Sequence, residues 1–232
     1  MKKILNLSFM FLAILAFSSS AYAQKKIKEG AVKFELATDT ENDSPEMAML
    51  GGTTLDFYFN DEKQRMDMNM LGGMMKVQSI IPIKSPKDAA ILMDMMGQKI
   101  QLIGLSEDDL KGNYNMMNVD GIQSITYDVK DKKEIAGYPC YKAKVKMDND
   151  MAMEYYITEK IQPPLGVKGK SDNTLKGYPL EMIIDTGQGM KMTFKAKEVT
   201  TKLPDNAFTV PEGYQKMTMK EFEEMTGGMM GK

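Results

Sequence analysis

Apolar and polar residues alternate along most of the chain from Gly30 onward. Val32, Phe34 and Leu36, for example, are separated by charged or small residues. Because residues two apart in a strand lie on the same face, this alternation predicts half-buried β-strands. The same pattern predicts further strands at residues 55–59, 66–70, 75–83, 89–96, 99–105, 122–129, 137–147, 151–158, 179–185 and 190–199. The chain should therefore be mainly β.

Methionine recurs in steps of two along these segments. The steps are Met47/Met49, Met66/Met68/Met70, Met93/Met95, Met151/Met153, Met190/Met192 and Met217/Met219. Several fall in predicted strands, so the sheet should carry a stripe of thioethers on one face. A turn at residues 60–63 should fold Phe57 and Phe59 back against the strand of Met66, which places aromatic rings opposite methionines.

The connections and the C-terminus have a different composition. Residues 112–120 are polar and turn-rich, and residues 161–176 form a long loop in which a lid is conceivable. Thr218 followed by Glu221 is a capping box, which predicts a short helix that ends at Gly227. We expect one β domain at 24–214, then a short helix and a flexible methionine-rich tail at 215–232.

The first 23 residues have the features of a secretory signal peptide. Lys2 and Lys3 precede an apolar stretch at 4–17, and Ala21-Tyr22-Ala23 is a cleavage site of the A-x-A type. The mature chain should begin at residue 24, in the periplasm or outside the cell. The residue directly after the cleavage point is Gln24 and not a cysteine, so a lipid-anchored lipoprotein is not expected.

The composition argues against several classes of function. The chain has no histidine, which removes the usual general base and nearly all catalytic zinc sites. We therefore expect a non-enzymatic protein with no catalytic residues and no cofactor. A formal net charge of −2 disfavours nucleic acid as a partner. The single cysteine, Cys140, cannot form an internal disulfide and should be a small buried residue, with a redox or metal thiol as the alternative.

Residues 133–143, with the sequence KEIAGYPCYKA, resemble the "K-x-I-A-G-Y-x-C" segment of a bacterial exported family, domain of unknown function 4412. Residues 155–158 and the segment FTVPEGY at 208–214 are similar to two further motifs of that family. The resemblance covers roughly residues 30–214. It implies a fold like the lipoprotein carriers LolA and LolB, a strongly curved antiparallel sheet that forms an incomplete barrel. In those carriers the concave face holds acyl chains.

The chain has 25 methionines and no tryptophan. One interpretation is that the methionines form a ligand-binding surface. Flexible thioether side chains can repack around ligands of varied shape. The chain would then hold a lipid or another hydrophobic small molecule in a concave sheet. The residues predicted to line this site are Phe57, Phe59, Met66, Met68, Met70, Met93, Met95, Met151, Met153, Met190 and Met192.

Three other interpretations stay open at this point. In the first, the methionines fill the core of a structural envelope protein that has no ligand. In the second, they bind Cu(I) or Ag(I), because soft ions prefer thioether sulfur. Same-face neighbours on one strand lie about 7 Å apart, so such a site needs adjacent strands or the C-terminal methionines Met225, Met229 and Met230. In the third, exposed methionines scavenge oxidants. An envelope protein partner is possible, and the sequence does not give the oligomeric state.

Overall fold

The computed structural model describes residues 26–38, 50–106, 109, 122–147, 152–163, 174–185 and 191–226. Within these residues the fold is mainly β: a single curved sheet of twelve strands that does not close into a barrel, followed by one short helix. The predicted fold class is therefore confirmed. In the same residues, no helix is long and apolar enough to cross a membrane.

The strands follow the predicted alternation closely. They are β1 (Gly30–Thr38), β2 (Thr54–Phe59), β3 (Lys63–Met70), β4 (Met75–Pro82), β5 (Ala90–Met95), β6 (Gln98–Ile103), β7 (Ile122–Ile135), β8 (Tyr138–Met147), β9 (Ala152–Thr158), β10 (Tyr178–Asp185), β11 (Lys191–Thr200) and β12 (Gln215–Thr218). The helix α1 spans Met219–Met225. It begins at the predicted capping box of Thr218 and Glu221.

The sheet has the order β12-β6-β5-β4-β3-β2-β1-β11-β10-β9-β8-β7. All neighbours are antiparallel except β12, which pairs in parallel with β6. The sheet is thus mixed, and β12 is a strand that the sequence did not predict. Four residues are too few to show a periodicity of two, and the pairing depends on the path of the preceding chain.

Strand β7 is longer than the alternation predicts, because it runs to Ile135 rather than to Val129. Its register with β8 shifts between Asp128 and Lys132. This bulge lies in a run of charged residues, where no apolar alternation marks the strand. Ala136 and Gly137 then make the turn to β8 with φ values of 49° and 82°, which is the pattern of a tight type I′ hairpin.

The two faces of the sheet differ in chemistry. On the outer face, oppositely charged side chains pair, as in Lys33 with Glu198 and Arg65 with Asp67. Residues 201–214, called the outer strap here, lead from β11 to β12 across this face. Arg65 Nη1 donates a hydrogen bond of 2.7 Å to the carbonyl oxygen of Ala207 in the strap.

The inner face carries two hydrophobic cores. Strand β7 approaches β11 although three strands separate them in the sheet, so this half curls tightly. Side chains of β1–β3 and β7–β11 meet there in the first core. The second core lies over β5, β6 and β12, where Phe222 of α1 is 2% exposed and closes it. Strand β4 runs between the two cores.

Several predictions concern residues outside the described ranges. These are the signal peptide at 1–23, the connection at 112–120, most of the loop at 161–176, and the residues Met47, Met49, Met151, Met190, Met229 and Met230. They stay predictions, as does the division of the chain at residue 214.

Candidate functional site

The methionines of β3 to β5 share one face of the sheet with the aromatic residues of β2. Phe57 lies directly opposite Met66, as predicted. Met70 lies opposite Met75, and Met75 lies opposite Met95 on the next strand. Directly opposed residues point to the same side of a sheet. These side chains therefore all belong to the inner face.

The same face continues across β1 to β11, β10 and β9. Phe34 of β1 is paired with both Leu55 and Ala196, so the inner residues of β11 are those in phase with Ala196. Met192 is one of them, and Ile184 and then Met153 follow on the same row. The predicted stripe of thioethers on one face thus exists among the described residues.

Burial along this face falls from one end of β3 and β5 to the other. In β3, Met66 is only 2% exposed, whereas Met68 and Met70 are half-buried. In β5, Met93 is 2% exposed and Met95 is half-buried. Antiparallel order brings the half-buried ends of these strands together. We call five of the half-buried thioethers in these end rows the methionine rim: Met70, Met75, Met95, Met153 and Met192.

The predicted site residues divide between the cores and this rim. Phe57, Phe59 and Met66 are fully packed in the first core, and Met93 is packed in the second. At the margins, Met68 and Met153 touch the first core and Met95 touches the second. Met70 and Met192 are half-buried and belong to neither core. The described members of the predicted set thus share a face and are divided between the two cores and the rim.

Met75 was absent from the predicted set, although it occupies the centre of its row. It opens β4 with Met74 before it and Val77 two residues after it. No second methionine at a spacing of two marks it in the sequence. Only the pairing with Met70 and Met95 shows that it faces inward.

The motif around Cys140 has a structural role in the hairpin of β7 and β8. Lys133 Nζ lies 2.5 Å from Oε1 of the buried Glu181 and 3.5 Å from the ring centroid of Tyr156. Cys140 is buried, as predicted, and burial raises the pKa of its thiol to about 11. A thiol with this pKa stays protonated at neutral pH and is a poor nucleophile.

A shallow cavity of about 210 Å³ lies beside the same hairpin. Pro139, Cys140, Tyr141 and Thr158 contribute to its lining. Thr158 ends β9 at the opposite end from Met153, so this cavity is separate from the methionine rim.

The described residues hold no cluster of charged or imidazole side chains of the kind that binds a hard metal ion. Among them, no three His, Cys, Asp or Glu side chains lie close enough together to hold one. The rows of methionines on the inner face hold neutral thioethers beside aliphatic side chains such as Val77 and Ile184. Such a surface suits apolar ligands or soft cations.

Comparison with solved structures found 26 similar chains, among them three of low sequence identity. One is in the complex structure of Pseudomonas aeruginosa MucA/MucB, with 13% identity, a TM-score of 0.46, and coverage of 82% of this chain and 58% of that chain. A crystal structure of MucB is 12% identical with a TM-score of 0.39, and the match covers 82% of this chain and 60% of that chain. A DUF1329 family protein from Desulfovibrio piger is 9% identical with a TM-score of 0.33, and the match covers 78% of this chain and 88% of that chain.

This chain thus spans less than two thirds of the length of the first two solved chains. No family model and no curated protein matches it. The similarity to the solved structures is too low to assign an activity. No family is therefore shown, and the resemblance of residues 133–143 to domain of unknown function 4412 stays a prediction.

Proposed function

We propose that this chain is a non-enzymatic binding protein of the bacterial periplasm that holds a lipid or another hydrophobic ligand against the methionine rim. The fall in burial along the inner side of β3 and β5 is the observation that carries the proposal. Met66 and Met93 are sealed in the two cores, whereas Met70 and Met95 on the same strands are half-buried. The apolar surface thus continues from the packed interior to an accessible edge.

The side chains of the rim suit a ligand of variable shape. Methionine has three rotatable bonds and a polarisable sulfur, so it adapts to irregular apolar surfaces. Met70 and Met192 are part of neither core, so they can change rotamer without opening a packed interior. Burial of an acyl chain contributes about 0.8 kcal/mol per methylene group, so few polar contacts are required.

The absence of histidine from the sequence supports a binding role rather than catalysis. The predicted signal peptide supports a location in the periplasm, where a LolA-like carrier would meet lipids. The proposal includes a protein partner in the envelope, and no binding surface is assigned to that partner.

The first test is native mass spectrometry of the protein purified from the periplasm without delipidation. Binding of N-phenyl-1-naphthylamine and its displacement by palmitate should then be measured by fluorescence. In the variant M70Q/M192Q, we expect affinity for both molecules to fall about tenfold, which corresponds to 1.4 kcal/mol of lost apolar contact.

The matched control is M74Q/M96Q, because these two methionines are 57% and 87% exposed at turns beyond the rim. Affinity should be unchanged in this control. A bare polypeptide mass together with no binding of either molecule would contradict the proposal and favour a structural protein whose methionines only pack.

A further inference from the structure

One row of the methionine rim places three thioethers side by side on three adjacent strands. Met75 is in the middle, directly opposite Met70 of β3 on one side and Met95 of β5 on the other. The Cα atoms of such cross-strand partners lie about 4.5–5.5 Å apart. This is closer than the spacing of about 7 Å between same-face residues on one strand.

A fourth sulfur lies next to this row. Gln98 is the cross-strand partner of Met95 on β6. Its Nε2 atom lies 3.4 Å from the Sδ atom of Met225, near the end of α1. The helix is held over the inner face by Phe222 in the second core. The row therefore continues from Met70 through Met75 and Met95 to Gln98, whose side chain contacts the sulfur of Met225.

These sulfurs are free to converge because the row lies between the two cores. Met70 and Met75 belong to neither core, and Met95 touches only the margin of the second. All three are half-buried. Met225 is 41% exposed. Side chains on the inside of a curved sheet also point towards one another, and a methionine can place its sulfur through three rotatable bonds.

We propose that Met70, Met75 and Met95 form a binding site for a soft monovalent cation, Cu(I) or Ag(I), with Met225 as a fourth donor. Thioether sulfur is a soft, neutral ligand, so it selects these ions over zinc, magnesium or calcium. A neutral donor set also suits a single positive charge better than a double one. The site shares Met70, Met75 and Met95 with the proposed lipid surface, but cation binding does not depend on lipid binding.

The test is a competition titration of the mature protein purified from the periplasm. Cu(I) is titrated without oxygen against bathocuproine disulfonate, and Ag(I) serves as the air-stable probe. The variant is M70L/M75L/M95L, because leucine keeps the apolar volume and removes only the sulfur. We expect one equivalent of metal in the wild type and affinity at least about tenfold weaker in the variant, the loss typical when a metal site is perturbed.

The matched control M74L/M96L removes two exposed sulfurs from the neighbouring turns and should bind as the wild type does. The single variants M75L and M225L separate the central donor from the outer one, with the larger loss at M75L. M75L also serves as the decisive variant if the triple variant does not fold. Equal affinity in the wild type, M75L and the triple variant would overturn the site, as would failure of the wild type to compete.

Palmitate binding by the same leucine variants separates this site from the proposed function. Met225 lies outside the methionine rim, so M225L should weaken metal binding while palmitate binds with unchanged affinity. Metal binding without any palmitate binding would support the cation site and contradict the lipid proposal. Palmitate binding without metal binding would do the reverse.

Discussion

The two ends of the inner face have the same residue types but different environments. Met66 and Met70 lie on the same strand and the same face, yet Met66 is 2% exposed and Met70 is half-buried and outside both cores. Met93 and Met95 repeat the contrast on β5. A methionine on this sheet is therefore a core residue or an accessible one according to its position along the strand, not according to its spacing in the sequence.

Aromatic packing explains why one end is sealed. The Phe34 and Phe57 rings pack edge to face with centroids 5.8 Å apart, and Phe59 lies 6.0 Å from the ring of Tyr178. Such pairs add stabilisation beyond the area that they bury. The rim has methionines where the sealed end has aromatic residues. Methionine side chains fill space without fixing a single arrangement.

Replacement of Phe57 by alanine should produce the largest loss of stability. Its side chain is 1% exposed at the centre of the first core, and truncation of such a phenylalanine costs about 3–5 kcal/mol. Urea denaturation followed by circular dichroism measures the free energy of unfolding. A loss below about 1 kcal/mol would show that the sealed end is not tightly packed.

The comparison between Met66→Ala and Met70→Ala tests the difference between the two ends directly. We expect a loss of about 2–5 kcal/mol for Met66→Ala, because it leaves a cavity in the first core. Met70→Ala should cost less than about 1 kcal/mol, since the side chain is part of neither core. The same denaturation experiment serves, with Met74→Ala at an exposed turn as the control. Equal losses at the two positions would break the distinction.

Removal of the helix cap should have a moderate effect that is confined to the second core. In Thr218→Ala, the hydrogen bond from the backbone amide of Glu221 to Thr218 Oγ1 is lost, which costs about 1 kcal/mol. Thr218→Ser keeps the hydroxyl and should behave as the wild type. In Thr218→Ala, amide hydrogen exchange should become faster in α1 and stay the same in β1 and β2. An equal increase in β1 would show that the two cores are not independent.

The smallest effect is expected on the outer face, at Asp56. Burial and then the nearby charge of Asp67 raise the pKa of this carboxyl group above its ordinary value of 3.8. The folded protein therefore binds the proton more tightly than the unfolded chain, and the charged group lowers stability at neutral pH. Asp56→Asn should be more stable than the wild type at pH 7.

Below the ordinary pKa of 3.8, Asp56 is protonated in both states, so the advantage of Asp56→Asn should vanish there. Thermal unfolding at pH 3 and pH 7 measures the difference. Palmitate affinity should be the same in this variant, because Asp56 lies on the outer face. A variant less stable than the wild type at pH 7 would contradict the assigned direction of the pKa shift.

Alternation in the sequence predicts the sheet well because the period of two is a direct consequence of one buried face. Val32, Phe34 and Leu36 show it without ambiguity, and the capping box of Thr218 and Glu221 predicts the start of α1. The pattern cannot show β12, since its pairing with β6 depends on the path of the outer strap.

The candidate site is less predictable from the sequence. Spacing shows which methionines share a face, but it does not show which of them are packed. Met66 and Met70 are equivalent in the pattern, and only the three-dimensional arrangement of the two cores separates them. Met75 is invisible to the pattern because its neighbours in the row, Met70 and Met95, lie on other strands.

The most direct test of the central claim is NMR spectroscopy of the protein labelled with ¹³C at the methionine methyl groups. Signals assigned by single Met→Leu variants should be followed as palmitate is added. The methyl signals of Met70, Met75 and Met192 should shift with a common saturation curve, while those of Met66, Met93 and the exposed Met96 stay in place. No shift at any rim methionine, or equal shifts at Met66 and Met96, would contradict the claim that the rim is a binding surface.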